Sequence, residues 1–585
     1  MNRRIIFTLL FLPCLSFSEN ERLNLDDVVG RHGFKTATLG KYEWLPNQDV
    51  YVKTGISGDS LSLYKIDLIK NDTTIFLNSR ALYFGGEELK IKSFKFDRTG
   101  QKLLLLTEKE KIWRHSFWGT YFIINLHNLE IIPLSDENTR LRNVKFSPSG
   151  DKVAYVREDN NLYVFNINRN REKQLTRNGS EHILNGHRGW VYEEEFGSFD
   201  AYRWGPDSRF IAYWEENQKD VPEFILFDEL ELYPTIKKIH YPKAGQTNPI
   251  LKIGIVNVKS GQKKWLDIGD NQDTYFPWME WAGPTDLVVM RLNRLQKKLM
   301  FLNINTKSGK SFPGIIEEDS VGWINVNNSY KILQNNEMIW ISERTGYQHL
   351  FRHNSDGSLI KQLTGGNWEV TKITHVDEEH QIVYFLANKS SVTENKLYSV
   401  DFEGNNFQLI TPETGSHSIK FTPSGKYLID SFSSIKAPRK IILKNVKGDI
   451  IRVLKDTDKT QYEKYDWSIP EIVNFETEDG REILDGIITL PVKFEVGKQY
   501  PVIIHGYGMP GTQIVRNRWG SVFNQFLAEQ GYIVFSMDAR GMSGRGEKFK
   551  NLSYGNMAKY LAMDHIAGIK WLIKQGYADK DRIGA

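Results

Sequence analysis

A short strand-turn phrase recurs along this chain and restricts its fold more than any other feature. The copies lie at residues 94–100, 144–150, 202–208 and 419–425. Each copy begins with apolar, basic and aromatic residues that suit a strand end, and continues into Pro, Asp, Ser or Gly residues that favour a turn. Most copies lead into a second apolar strand, as at residues 152–156. The phrase therefore predicts a repeated antiparallel unit.

The spacing of these units predicts a β-propeller. Weaker copies near residues 279–281 and 336–342 extend the series, so units of about 40–60 residues fill most of the chain. Units of this size with a few short strands each are typical of propeller blades, and we expect eight blades within residues 46–466. A β-sandwich with similar hairpins is the alternative, but a sandwich would not keep the turn phrase so alike.

The pattern changes after about Pro470, where strands begin to alternate with helices. Apolar runs predict strands at residues 487–491, 500–505 and 532–538, helices near 520–530 and 563–575, and the start of another strand at 581–585. This alternation is typical of an α/β domain with a largely parallel sheet. We expect residues 467–585 to form the beginning of an α/β-hydrolase domain, and residues 19–45 to lead into the propeller.

Residues 1–18 have the pattern of an export signal. Two arginines precede an apolar run of about eleven residues, and small serines stand before the expected cleavage site. The run is shorter than the roughly 20 residues that span a bilayer, so we expect a periplasmic or secreted protein without a stable membrane span. An uncleaved N-terminal anchor is the alternative. The formal net charge of +4 gives no reason to expect nucleic-acid binding.

Three consecutive glutamates, Glu193, Glu194 and Glu195, follow the aromatic residues Trp190 and Tyr192. Adjacent like charges repel, and burial beside aromatic rings adds to the cost of ionisation. Neighbouring side chains diverge on a strand, so two of these carboxylates converge only on a turn or a short helical piece. Such a pair suits an ammonium group, which has three donors and no acceptor. A solvated acidic face is the alternative.

Residues 506–511 match G-x-G-x-x-G after a predicted strand, but Pro510 interrupts the turn and no acidic ribose partner stands out downstream. In an α/β-hydrolase, the loop after the third strand helps to form the oxyanion hole. Tyr507 in this loop can donate its hydroxyl to a developing oxyanion, and a packed tyrosine in a glycine turn is the alternative. His349 and His353 lie too far apart on a strand for easy chelation. We therefore expect no metal site and no cofactor.

These features together resemble the dipeptidyl peptidase IV branch of the prolyl oligopeptidase family. The resemblance covers essentially everything after residue 18. Its most specific segments are residues 113–116, 190–195, 241–245 and 538–541, and Tyr507 with Pro510. The family motif reads D-W-V-Y-E-E-E, and Gly189 stands here where the family has Asp.

The resemblance implies a serine exopeptidase that releases N-terminal X-Pro, or less often X-Ala, dipeptides. It implies that Glu194 and Glu195 hold the free α-ammonium group of a peptide. Arg114 would orient a substrate carbonyl and brace the glutamates, and Tyr507 would serve the oxyanion.

The family's Ser, Asp and His triad would follow Ala585, and no G-x-S-x-G occurs in the chain. We therefore expect the sequence as written not to hydrolyse peptides. A non-catalytic propeller that binds peptide N-termini or a protein partner is the alternative function. The expected partners are peptides with a free N-terminus, and a homodimer is left open.

Overall fold

In the computed structural model, the structure describes residues 20–29, 34–57, 60–136 and 139–585. The export signal expected at residues 1–18 lies outside these ranges. Within them, no helix combines the length and the apolar character that crossing a membrane requires.

Residues 42–456 form eight consecutive antiparallel units, which we number blade 1 to blade 8 and which confirm the predicted propeller. Their strands are Tyr42–Trp44, Val50–Ser57, Ser60–Asp67 and Asp72–Leu77 (blade 1); Ser93–Phe96, Lys102–Lys111, Phe117–Asn125 and Ile131–Pro133 (blade 2); Leu141–Phe146, Lys152–Arg157, Leu162–Asn166 and Arg171–Gln174 (blade 3); Ile183–Asn185, Tyr202–Trp204, Phe210–Asn217, Ile250–Asn257 and Lys263–Trp265 (blade 4); Thr274–Tyr275, Met279–Trp281, Asp286–Asn293, Lys298–Asn305 and Ser311–Glu318 (blade 5); Tyr330–Ile332, Met338–Ser342, His349–His353 and Leu359–Gln362 (blade 6); Val370–Asp377, Ile382–Ala387, Lys396–Asp401 and Gln408–Leu409 (blade 7); and Ser416–Phe421, Tyr427–Ser434, Ala437–Asn445 and Ile450–Asp456 (blade 8).

Two hairpins lie outside the blade strands, and the described residues also form six α-helices, three of them in the C-terminal region. Tyr83–Phe84 pairs with Glu87–Glu88, and a longer hairpin, here called the blade-4 hairpin, pairs Glu223–Asp228 with Thr235–His240. The helices are Leu25–Val29, Trp190–Phe196, Thr460–Glu463, Val522–Glu529, Glu547–Asn551 and Met557–Lys574, with 3-10 turns at Ser79–Ala81 and Ile167–Arg169.

The propeller closes into a ring because blade 8 packs back onto blade 1. Tyr51 and Leu68 of the blade 1 region share a buried apolar cluster with Ile429 of blade 8. The Ser424 amide and hydroxyl both donate to the Asp49 carboxylate, at 3.0 and 2.7 Å. Similar apolar clusters join each of the other pairs of neighbouring blades. Burial of this kind is the main contribution to the stability of the ring.

The recurring turn phrase has a backbone cause. Its turns carry a residue with positive φ at the same place, namely Gly100, Gly150 and Gly425 at about 70° and Ser208 at 60°. Glycine adopts this left-handed conformation without steric cost, which explains why most copies end in Gly. The turns also stack between blades, since the Ser149 amide donates to the Ser208 hydroxyl at 2.9 Å. One turn geometry, repeated and stacked, produces the phrase.

The C-terminal region forms five strands of an α/β-hydrolase sheet, which confirms the predicted fold, but Glu471–Glu476 was not among the predicted strands and only half of the strand pairs are parallel. The strand order is Glu471–Glu476, Ile483–Thr489, Ile533–Met537, Tyr500–Ile504 and Ala578–Gly584. The first three strands pair antiparallel, and the last three pair parallel. A separate apolar core that includes Phe535 and Leu572 holds the helix Met557–Lys574 against the sheet.

Some element bounds differ from the predicted ones. The helix predicted at residues 563–575 begins earlier, at Met557. Its first turn was missed because the residues there are exposed and lack the apolar spacing of a buried helix face. The strand predicted from residue 581 begins at Ala578. The expected boundary at residues 45–46 falls between the first two strands of blade 1. The boundary at residues 466–467 falls after the last blade strand and before Glu471–Glu476.

The hydrolase region is fixed to the propeller by buried polar contacts on blades 6 and 7. The Gly546 amide donates to Glu369 at 2.8 Å, and the Asn388 side chain donates to the Gly544 carbonyl at 2.8 Å. The Lys550 ammonium pairs with Glu343 at 2.6 Å. These contacts orient the hydrolase loops toward the propeller, where the candidate site lies.

Candidate substrate-binding site

The three glutamates lie on the short helix Trp190–Phe196, inserted between the first two strands of blade 4. Val191 and Tyr192 anchor this helix in the buried core between blades 4 and 5. Gly197 ends it with a φ of 62° and donates its amide to the Glu193 carbonyl at 3.1 Å. The helix Trp190–Phe196 is therefore a short helical piece of the kind expected from the sequence, on which two of the three carboxylates can converge.

The helix N-terminus is supported by a buried carboxylate from a neighbouring strand. The Gly189 amide donates to Glu216 Oε1 at 3.2 Å, and a Cβ at position 189 would lie 2.6 Å from that oxygen. Burial raises the pKa of Glu216 to about 7, against the opposing effect of the Arg188 guanidinium. Glu216 thus occupies the space that the family's Asp side chain would need at position 189.

Glu193 is buried and holds the loop that carries Arg114. Its Oε1 accepts the backbone amides of His115 and Ser116, at 2.7 and 2.8 Å. This loop joins Lys102–Lys111 to Phe117–Asn125 in blade 2. Glu193 therefore connects blade 4 to blade 2 and does not face the space where a substrate would enter.

Arg114 and Glu194 form a two-point pair. The guanidinium Nη2 lies 2.7 Å from Oε1 and Nε lies 3.2 Å from Oε2. The side chains are 67% and 30% exposed, and an exposed pair of this kind adds little to stability. Its hydrogen bond and charge raise the pKa of Arg114 further above the ordinary value. The pair fixes the direction of both side chains beside the propeller opening.

Glu195 lies at the mouth of a cavity of about 670 Å³ that is lined by Trp113, Trp190, Phe224 and Tyr241, among others. Desolvation raises the pKa of its carboxyl, and the neighbouring Glu194 charge raises it further. Among the described residues, no side chain forms a hydrogen bond or ion pair with this carboxylate. A bound cation would stabilise the ionised form of Glu195 and so oppose both the desolvation and the repulsion from Glu194.

Tyr507 lies in the loop after the strand Tyr500–Ile504 and its side chain is 56% exposed. After Glu194, Tyr507 is among the groups that raise the pKa of Arg114, so it lies within electrostatic range of that guanidinium. A Cβ at Gly506 would lie 2.8 Å from His565 Nε2, and one at Gly508 would lie 2.0 Å from Leu561 Cδ1. The two glycines thus allow the loop to pack closely on the helix Met557–Lys574. This packing explains why glycine stands at both positions, and no dinucleotide-binding role is needed.

The segment 538–541 braces the Tyr507 loop. Asp538 accepts the amides of Ile514 and Val515 at 2.8 and 3.1 Å, and burial raises its pKa to about 6. Arg540 pairs with Asp564 at 2.6 Å and with a second aspartate on a neighbouring turn. Asp538 holds the loop through these two amides, whereas Arg540 ties the same segment to the helix Met557–Lys574.

Of the predicted site residues, the structure brings Arg114 and Glu194 into direct contact and places Glu195 on the same helix as Glu194, while Tyr507 lies within electrostatic range of Arg114. His349 and His353 are buried with separate partners, Thr364 and Gly366 for the former and Gly357 for the latter. Glu216 was not identified from the sequence. Its position in the apolar strand Phe210–Asn217 could have revealed it, because a carboxylate in such a strand is buried and needs a partner.

Comparison with known proteins agrees with the observed fold. The family model described as the dipeptidyl peptidase IV N-terminal region matches residues 97–439, more than half of the chain. The prolyl oligopeptidase family model matches residues 521–585. A crystal structure of dipeptidyl peptidase 4 from Porphyromonas gingivalis superposes with a TM-score of 0.91 at 25% identity, over 97% of this chain and 81% of that one.

Sequence relatives indicate the same family. "Dipeptidyl peptidase 4" of Arthroderma otae is 29% identical over 82% of this chain and 65% of its own length. "Probable dipeptidyl-aminopeptidase B" of Podospora anserina is 27% identical over 96% of this chain and 66% of its own length. The chain thus spans about two thirds of the length of these relatives. From its propeller, its hydrolase sheet and these matches, the chain belongs to the dipeptidyl peptidase IV family.

Proposed function

We propose that this chain provides the N-terminus-recognition part of a dipeptidyl peptidase, a serine exopeptidase that releases X-Pro or X-Ala dipeptides. The observation that carries the proposal is the geometry of the glutamate helix. Arg114 holds Glu194 at two points, while the exposed Glu195 carboxylate, whose pKa is raised by partial desolvation and by Glu194, has no partner among the described side chains. An ammonium group between the two carboxylates is the ligand whose charge and donors fit.

The same arrangement explains exopeptidase specificity. Two extended residues span about 7 Å, so a fixed ammonium site would admit one dipeptide between itself and the reacting carbonyl. Arg114 can donate to a substrate carbonyl with the guanidinium edge that Glu194 leaves free. Tyr507 would donate its hydroxyl to the oxyanion that develops at the scissile bond. A peptide without a free N-terminus would leave the Glu195 carboxylate without a cationic partner.

Binding of the tripeptide Ile-Pro-Ile to this chain, measured by isothermal titration calorimetry, tests the ammonium site. Hydrogen bonds to charged groups contribute about 1.5–3 kcal/mol each, so Glu194→Gln and Glu195→Gln should each weaken binding roughly 10- to 100-fold. Glu193→Gln is the matched control, because its amide oxygen still accepts the His115 and Ser116 amides. N-acetylated Ile-Pro-Ile should not bind. Equal losses at all three positions would contradict the assignment.

The peptidase step is tested separately in a protein that joins this chain to a complete hydrolase domain. Such a protein should release nitroaniline from Gly-Pro-nitroanilide and leave the N-acetylated substrate intact. Specific binding without hydrolysis would favour the alternative function, a propeller that binds peptide N-termini or a protein partner.

We also propose that the protein is exported and that it forms a homodimer through the blade-4 hairpin. The first part rests on the arginine and apolar pattern of residues 1–18. The second rests on exposed apolar side chains of the hairpin, among them Leu230 and Leu232, which are 93% and 91% exposed. Apolar side chains concentrated on a projecting element mark an interaction surface.

A further inference from the structure

A second cluster of polar side chains lies at the base of the blade-4 hairpin. The ring nitrogens His182 Nδ1 and His240 Nε2 face each other at 3.2 Å. Ligand atoms of Glu181, Glu223 and His240 lie within 4.8 Å of one another. His240 therefore lies next to both carboxylates and next to the His182 ring where the hairpin leaves the blade.

The hydrogen bonding of His240 leaves the nitrogen that faces His182 able to act as a ligand. His240 Nδ1 lies 3.1 Å from the Val221 carbonyl, which can only accept, so Nδ1 carries the proton. Nε2 then presents its lone pair toward His182. A backbone carbonyl that fixes the tautomer in this way is a frequent outer partner of metal-bound histidine.

The separation of the two rings fits a tetrahedral metal ion. With Zn–N distances of 2.0–2.1 Å, two nitrogens of a tetrahedral zinc site lie about 3.3 Å apart. The observed 3.2 Å matches this separation, and zinc binding would require the rings to rotate until both lone pairs point at the ion and His182 Nδ1 to give up the proton that it shares with His240. Nitrogen and carboxylate ligands together suit Zn²⁺ better than Mg²⁺ or Ca²⁺, which prefer oxygen ligands alone.

The backbone holds the ligands in place from two sides. Glu223 and His240 are direct cross-strand partners in the hairpin, so their side chains share one face. His182 belongs to the body of blade 4, where its carbonyl accepts the Gln218 amide at 2.9 Å. Lys238 pairs with Glu223 at 2.9 Å, but both side chains are exposed. An exposed pair of this kind is weak, so a divalent cation can displace the lysine.

We propose that His182, His240 and Glu223, with Glu181 as the fourth ligand, form a Zn²⁺ site that fastens the blade-4 hairpin to its blade. Sequence patterns do not reveal this site, because the ligands come from separate segments. Its consequence reaches the cavity beside Glu195, whose wall includes hairpin residues. The proposed zinc site does not depend on whether the chain is part of a peptidase.

Zinc titration of the metal-free chain by isothermal titration calorimetry tests this proposal. The wild-type chain should bind one equivalent of Zn²⁺, and Mg²⁺ should not compete. Loss of an outer partner alone costs roughly 10- to 100-fold in metal affinity, so His182→Ala and His240→Ala should weaken binding by more than that. His127→Ala, which removes an exposed histidine of blade 2, is the matched control and should bind like wild type.

Limited proteolysis at the hairpin tip gives a second readout. At free Zn²⁺ of 100 times the dissociation constant, opening of the hairpin should be suppressed by up to about 100-fold in wild type. Glu223→Gln, an exposed change that preserves side-chain shape, should reduce both the affinity and this protection. Absence of Zn²⁺ binding to the wild-type chain would overturn the proposal. Unchanged binding in both histidine variants, or in Glu223→Gln if those variants do not fold, would overturn it as well.

Discussion

Glu193, Glu194 and Glu195 are adjacent but differ in burial and in partners, because successive side chains on a helix point in different directions. Glu193 is buried and accepts two backbone amides from the loop of Arg114. Glu194 is partly exposed and is held by the Arg114 guanidinium. Glu195 keeps a carboxylate free at the edge of a cavity. In the proposed function, the two carboxylates that would bind a substrate are thus oriented by a third that would not.

Glu216 and Gly189 should show compensating effects on stability. Asp at position 189 would place its Cβ within 2.6 Å of the Glu216 carboxylate, so Gly189→Asp alone should destabilise the protein. Glu216→Ala alone should also destabilise it, because the Gly189 amide loses its acceptor, at a cost of about 1–3 kcal/mol. In the double variant the new aspartate can cap the helix, so the combined loss should be smaller than the sum.

Urea unfolding of the wild type, the two single variants and the double variant measures this coupling as a double-mutant cycle. Peptide affinity should follow the same order, because the helix carries Glu194 and Glu195. Additive losses would show that Glu216 does not occupy the space of the missing aspartate. Glu318→Ala, a change at an exposed glutamate of blade 5, is a suitable control.

The residues of the site could be predicted from the sequence only in part. The glutamate triplet is visible locally, because three adjacent carboxylates beside aromatic residues require an explanation. The roles of Arg114 and Tyr507 came from the family resemblance, since no local pattern connects residues separated by hundreds of positions. The role of Glu216 could not be predicted, because it depends on the space left by Gly189 in the folded chain.

At the scale of elements, predictability followed the strength of the local signal. The blade turns were predictable because a left-handed backbone position selects glycine in each copy. The first turn of the helix Met557–Lys574 was not, because it is exposed and lacks an apolar period. The blade-4 hairpin was also not predicted, because its strands are exposed and lack the alternation of a half-buried strand.

The exposed tip of the blade-4 hairpin should determine the oligomeric state. Leu230 and Leu232 are almost fully exposed, so replacing both with Asp should cost the folded monomer little. In a dimer the same change would bury charges without partners and should abolish association. Sedimentation velocity should show a dimer for wild type and a monomer for the double variant. Leu295→Asp, at an exposed leucine of blade 5, should remain dimeric; a monomeric wild type would refute the proposal.

At the scale of the whole molecule, the proposed site requires the propeller and the hydrolase region to keep a fixed relative position. Arg114 and the glutamates belong to the propeller, whereas Tyr507 belongs to the hydrolase region. The interface that aligns them is polar and buried, with Glu369 accepting the Gly546 amide. Polar contacts of this kind give a specific geometry but make the interface sensitive to protonation.

The stability of this interface should therefore fall as the pH rises. Burial raises the pKa of Glu369 from its ordinary value of 4.5 to about 7, so the folded protein keeps a proton that the unfolded chain releases. The resulting stabilisation is complete below the unfolded pKa and is lost as pH rises through the folded pKa, by up to about 3 kcal/mol. Glu369→Gln removes the titration while its amide oxygen still accepts the Gly546 amide. Relative to this variant, wild type should lose stability between about pH 5 and pH 8.

Midpoints of urea unfolding across this pH range, followed by tryptophan fluorescence, would reveal the difference between the two proteins. Glu379→Gln, at an exposed glutamate beside blade 7, is the matched control and should keep the pH profile of wild type. Parallel profiles for wild type and Glu369→Gln would show that the carboxyl at the interface is already ionised. In that case the alignment of Arg114 with Tyr507 would not depend on pH through this contact.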